Sequence, residues 1–226
     1  MTPRDVSVVI PTINEETVIV GAIESAFESG AGEVIVVDGG SNDQTIDQAK
    51  RHRASKVVHS LPGRGTQMNA GAVIAERDFL LFLHADNRLA KESLAQLCEQ
   101  ANCTWGAYWQ RVDKSRSVYR WIERGNAARV RYRGMAFGDQ AIFVRTEAFR
   151  RAGGFADIPL MEDVEFSRRM RKIAKPVLLP GPVTISSRRW EKNGVMHQTL
   201  LNWRLQIQYA MGMDPEKIRR QYNRSD

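Results

Sequence analysis

Two short apolar runs in the first half of the chain end in aspartate, and they limit the possible folds more than any other feature. Val34-Ile35-Val36-Val37 leads into Asp38, and Phe79-Leu80-Leu81-Phe82-Leu83 leads into His84-Ala85-Asp86. Each run is brief, bounded by turn residues and rich in β-branched or large apolar side chains, so each reads as a buried strand. In an open α/β sheet, ligands bind just beyond the carboxyl ends of the strands. Two carboxylates there can hold a ligand's polar group and a divalent cation. The alternative for either aspartate is that it caps the following helix.

The segments between these runs have the matching helical character. Val6–Ile10 is a strand stopped by Pro11, with Asn14 placed to cap a helix from Glu15 to Ser29, and Gly30 ends it. Glu33–Asp38 is the second strand, followed by a helix over Asp43–Arg53 and a third strand at Lys56–His59. A loop at Leu61–Gly65 precedes a helix over Thr66–Ala75, the fourth strand at Phe79–Leu83 and a helix over Lys91–Asn102. This order predicts right-handed crossovers and a mostly parallel α/β sheet with flanking helices.

Beyond Gln110 the pattern loosens. The spacing predicts a strand at Thr104–Gln110, a basic helix over Ser115–Arg133, a strand at Ala141–Val144 and a helix over Met161–Ile173. Pro176–Pro182 reads as extended, and a last helical region begins near Gly194. No repeat or low-complexity linker divides the 226 residues. One domain is expected, with a nucleotide-binding half at 1–110 and a completing half at 111–226.

Charge follows the same division. Residues 1–110 hold 9 Lys/Arg against 14 Asp/Glu, and residues 111–226 hold 24 against 12. A basic second half suits nucleic acid, an anionic membrane or a phosphorylated substrate, and equally a solvated surface. No apolar run is long enough to span a bilayer. The opening residues show no secretory signal, and Cys98 and Cys103 form no metal-spacing pattern. A reduced, cytoplasmic protein is the expectation.

The chain lacks G-x-G-x-x-G after its first strand and lacks G-x-x-x-x-G-K-[ST] throughout, which argues against dinucleotide oxidoreductases and P-loop ATPases. Instead Pro11-Thr12-Ile13-Asn14-Glu15-Glu16 follows the strand, then V-V-D-G-G-S-N-D-Q-T from Val36 and L-H-A-D ending at Asp86. Later come Gly138-Asp139-Gln140, Gly153-Gly154-Phe155 and Met161-Glu162-Asp163. In order and spacing this set resembles the family 2 inverting glycosyltransferases, which have the A-type nucleotide-sugar transferase fold.

The resemblance implies roles residue by residue. Pro11, Thr12, Asn14 and Glu15 would line the nucleotide site with Gly39, Ser41, Gln67, Asn69, His84 and Ala85. Asp38 would accept a hydrogen bond from the N3–H of uracil, for which an acceptor-only carboxylate is suited. Glu15 also suits the first turn of a helix through the dipole. Arg64, between Gly63 and Gly65, would pair with phosphate oxygens. Asp86 would ligate Mn²⁺ or Mg²⁺, although His84 stands where the family's motif often has its first acid. His197 is a candidate to complete that metal site. Asp163 would be the general base, with Glu162 as its substitute. Asp139, Gln140, Arg188, Arg189 and Trp190 would meet acceptor or diphosphate.

The implied activity is metal-dependent, inverting transfer from a nucleotide-sugar, best matched by a UDP-sugar, to a small-molecule or lipid-linked hydroxyl acceptor. Two alternatives stand beside it. A sugar-1-phosphate nucleotidyltransferase needs a glycine-rich loop after the first strand, and Pro11-Thr12-Ile13-Asn14 is not one. A non-catalytic nucleotide- or nucleic-acid-binding protein would use the basic half, but no nucleic-acid motif is present. Finally, Leu200, Leu201, Trp203, Leu205, Ile207, Tyr209, Met211 and Met213 are apolar on more than one helical face. They suit packing on the core or in a homodimer, or peripheral contact with the inner face of a membrane beside Arg188, Arg189, Lys192 and Arg204.

Overall fold

A computed structural model describes residues 1–52, 54–100 and 102–223. Its centre is an eight-stranded sheet in the order β3-β2-β1-β4-β7-β6-β8-β5. The strands are β1 (Val6–Thr12), β2 (Glu33–Asp38), β3 (Lys56–His59), β4 (Phe79–Phe82), β5 (Arg88–Leu89), β6 (Trp105–Val112), β7 (Phe143–Arg145) and β8 (Val177–Ile185). The first four run parallel. β7 enters antiparallel between β4 and β6, β8 runs parallel to β6, and β5 closes the edge antiparallel to β8.

The apolar runs are continuous because both faces of this sheet are covered. Alternate residues go to opposite faces. Val8, Ile10, Val34, Val36 and Leu81 pack under α1 (Ile19–Glu28), α2 (Thr45–Arg51) and, further on, α4 (Ser93–Glu99). Val9, Ile35, Val37, Leu80 and Phe82 pack under α3 (Arg64–Ile74), α5 (Ser117–Arg133), α6 (Thr146–Arg151) and α7 (Glu162–Ile173). On that second face Phe155, the aromatic of Gly153-Gly154-Phe155, meets Phe82 at 4.8 Å and Phe166 at 4.6 Å between ring centroids. The chain closes with α8 (Arg188–Asn193), α9 (Val195–Ala210) and α10 (Pro215–Asn223).

Several boundaries differ from expectation, each for a local reason. The helix expected from Glu15 begins at Ile19, and Asn14 is not its cap. Asn14 takes φ +54° and its side chain accepts the N–H of Asn42 in the facing loop. The helix expected over Asp43–Arg53 is α2, and Arg53 lies outside the described residues. Ala101, in the helix expected to reach Asn102, lies outside them too. Ala141 is left-handed at φ +48°, so the strand expected from it starts at Phe143. The proline-punctuated segment is a full strand, β8, because a register skip between Tyr108 and Gln110 of β6 accommodates Pro180-Gly181-Pro182. The two-residue β5, and α6 and α8, had no expected counterpart. Both cysteines are free and half-buried.

Candidate active site

Beyond the carboxyl ends of β1, β4 and β8 lies a cavity of about 1100 Å³. Pro11, Thr12 and Glu15 form its wall at β1, and His84, Ala85 and Asp86 form it at β4. Arg64 and Gln67 reach it from α3, Asp163 from α7, and Arg188, Arg189 and Trp190 from α8, with Asp139 between them. The Gln67 amide donates to the carbonyls of Thr12 and Val37, both at 2.8 Å, and so pins β1 to β2 beneath the cavity.

Asn14 and Ser41 shape the wall from behind. The Asn14 N–H donates to Ser41 Oγ at 2.9 Å, Glu15 N–H to Thr45 Oγ1 at 2.8 Å, and Gln44 N–H to Glu16 Oε2 at 2.9 Å. The N-E-E and S-N-D-Q-T segments therefore interlock as two facing loops. Asp38 lies fully buried below them and does not reach the cavity lining. Its Oδ2 accepts the N–H groups of Gly40 at 2.9 Å and Ser41 at 3.0 Å, with His59 Nδ1 at 3.3 Å. Burial pushes its carboxyl up, but the bonds from Ser41 and Gly40 outweigh this and hold it below the usual range. Gly39 packs on Gln67, where a Cβ would sit 3.1 Å from the amide.

Asn69 is also outside the lining. Its amide clamps Phe155 on both sides, donating to the carbonyl at 2.9 Å and accepting the N–H at 2.8 Å. A Cβ on Gly154 would fall 2.6 Å from Asn69 Oδ1, so the glycine is required by this close approach as well as by its φ of +68°. Gln140 is buried, and its side-chain Oε1 accepts from Arg129 at 3.0 Å and from the Phe137 N–H at 3.1 Å.

The adjacent acids of Met161-Glu162-Asp163 have different surroundings. Met161 at φ +72° starts α7 and turns Glu162 inward. Glu162, 2% exposed, pairs with Arg64 Nε at 3.0 Å, and its second oxygen has no partner among the described residues. Burial raises its pKa, opposed by Arg64. Asp163 lines the cavity. Its Oδ2 accepts the Gly138 N–H and its Oδ1 the Val164 N–H, both at 2.7 Å. A Cβ on Gly138 would lie 2.8 Å from His84 Nε2, so the glycine leaves room for the imidazole. His84 is held neutral, with its pKa lowered to about 4 by burial and by Arg64.

Arg188 bridges the two acids on the opposite side, 3.4 Å from Asp86 and 3.6 Å from Glu15. Burial and repulsion by Asp86 raise the Glu15 carboxyl. Half-buried Asp139 is raised too, chiefly by desolvation. Arg189 stacks on Tyr222 at 4.6 Å and Trp190 on Tyr119 at 5.8 Å. His197 is exposed on α9 and not part of the lining, because the residues that α9 turns inward are Gln198, Asn202 and Leu205. No three of the described His, Cys, Asp and Glu residues form a metal-holding group. A single half-exposed carboxylate at Asp86 nevertheless fits a hard cation that takes most of its ligands from substrate phosphates and water.

Sequence reasoning missed Asp157, Phe137 and the contributions of α9 and α10 through Gln198, Asn202 and Arg219. Only Asp157 had a visible signal, in the turn-rich Asp157-Ile158-Pro159 before Met161. It accepts a bond from Thr66 Oγ1 at 2.8 Å.

The sheet, with its acids and arginines around a cavity at the strand ends, has the A-type nucleotide-sugar transferase fold. The family model described as Glycosyl transferase family 2 matches residues 7–155, and the chain belongs to that family. An uncharacterised glycosyltransferase of Mycobacterium tuberculosis is 35% identical over 92 residues, 41% of each chain. A PGL/p-HBAD biosynthesis glycosyltransferase of Mycobacterium bovis is 34% identical over 91 residues, 37% of this chain and 36% of the relative. The matches thus span less than half of those relatives. Among solved structures, S. aureus TarS (residues 1–349) is similar with TM-score 0.64 and 20% identity, over 84% of this chain and 61% of that one. Mannosyltransferase PcManGT from Pyrobaculum calidifontis, in complex with GDP-Man and Mn²⁺, has TM-score 0.61 and 22% identity over 81% and 57%.

Proposed function

We propose that the chain moves a sugar from a nucleotide-sugar, a UDP-sugar, to a hydroxyl acceptor with inversion at the anomeric carbon. The observation that carries this reading is the convergence on one cavity of a backbone-oriented carboxylate (Asp163), a solvent-accessible carboxylate (Asp86) and two arginines (Arg64, Arg188). Asp163 takes the acceptor hydroxyl's proton as that oxygen attacks the anomeric carbon. The bond to the diphosphate breaks on the opposite face, and its electron pair leaves on the phosphate oxygen. Arg64, fixed by Glu162, and Arg188 lie ready to meet that developing charge. Asp86, with Glu15 beside it, would hold a divalent cation, which when bound neutralises the diphosphate. Pro11, Thr12 and Glu15 form the wall offered to the nucleoside, above the turn that Asp38 fastens.

Thermal shift tests the donor class. UDP with Mn²⁺ should raise the melting temperature more than ADP or NAD does, since a ligand bound only by the native state stabilises it. Equal stabilisation by NAD would falsify the reading.

A further inference from the structure

Helix α9 has two unlike faces. Leu205 is buried, and Leu201, Tyr209 and the following Met213 pack with it against Leu160, Val164 and Ile218. The outward face carries Met196, Leu200, Trp203, Ile207 and, at the helix end, Met211, which are 56% to 82% exposed. At 100° per residue these five fall within an arc of about 80° and run about 22 Å along the axis. A continuous exposed apolar stripe of this kind calls for an occupant.

We propose that this stripe docks on an anionic lipid surface. Charge decides between lipid and a second copy of the chain. α9 contains no acidic residue, and Arg204 flanks its stripe in an exposed position. From Val195 to Arg220, outside the cavity lining, the exposed charges are Arg204, Lys217 and Arg220 against Asp214. A two-fold dimer would bring this same basic surface against itself, whereas anionic headgroups complement it. Trp203 lies mid-stripe, and an indole is suited to the headgroup boundary. The helix would lie in the interface plane, its apolar side chains in the acyl boundary and its basic neighbours at the headgroups. No described helix is long and apolar enough to cross the membrane, so the contact is peripheral. The opposite face of α9 supplies Gln198, Asn202 and Leu205 to the cavity wall. Docking therefore sets that wall beside the lipid, and this holds whatever donor the cavity accepts.

Flotation with vesicles of phosphatidylcholine, with and without phosphatidylglycerol, tests this. The protein should float with the anionic mixture and less so in high salt. A Trp203→Ser, Ile207→Ser double variant should lose at least about tenfold in partitioning. Both side chains point outward, so its melting temperature should stay unchanged. Arg204→Glu, which leaves the apolar stripe intact, should weaken binding to the anionic vesicles alone. Absence of flotation, or equal flotation by the double variant, overturns the proposal. So does a dimer in sedimentation velocity that the double variant dissolves, which would assign the stripe to a second copy.

Discussion

Glu162 and Asp163 adjoin in sequence but face different chemistry, and single substitutions should separate them. Asp163→Asn cannot take a proton, so sugar transfer should fall by roughly 10²–10⁴. UDP-induced thermal stabilisation should persist, because in the proposed mechanism this carboxylate serves the acceptor and not the nucleotide. Glu162→Gln removes the charge that fixes Arg64 at 3.0 Å. It should lower stability by about 1–3 kcal/mol and raise KM for the donor more than it lowers kcat. Full transfer by Asp163→Asn would remove it from the chemistry. Asp86 makes one long contact, 3.4 Å, to an exposed arginine. Asp86→Ala should therefore leave the melting temperature of the free protein nearly unchanged. It should abolish the extra stabilisation that Mn²⁺ adds to UDP, as a titration with and without chelator will show. The sequence made the M-E-D acids legible as a pair, but their division of labour depends on the left-handed Met161, which no residue type announces.

At the scale of elements, the parallel half was legible because β1, β2 and β4 are short runs buried on both faces and each helix is bounded by turn residues. The second half was less so. β5 is too short for any periodicity, and β8 breaks its pattern with two prolines that only the irregular register to β6 explains. The loop motifs also did different work from what their place in the sequence suggested. Asn14, Ser41 and Asn69 fasten loops to one another and do not line the cavity. Asn69→Ala loses both bonds to Phe155 and should cost on the order of 1–3 kcal/mol. Hydrogen exchange at the Phe155 amide should accelerate well beyond the change at α4, which is remote from it. Uniform acceleration would mean that the clamp is no more than part of the general core.

For the whole molecule, the clearest global readout is pH. His84 has its pKa lowered from 6.5 to about 4, by burial first and Arg64 second. Between those values the unfolded chain holds a proton that the folded chain refuses, so this contribution is complete above about pH 6.5 and is lost as pH falls toward about 4. Urea denaturation at a series of pH values should show that loss, and His84→Asn should flatten it; an unchanged slope would assign it to other groups. The sheet order also has a consequence in time. Arg88 of β5 pairs with Thr184 of β8, and Asp86 and Arg188 meet although 102 positions apart. Chains leave the ribosome at about 5–20 residues per second. The strands β1 to β4 can thus assemble early, while Asp86 waits roughly 5–20 s for its arginine. During that interval the newborn half carries Asp86 and Glu15 without Arg188, and the cavity lacks the wall that residues 157–222 give it until they have emerged.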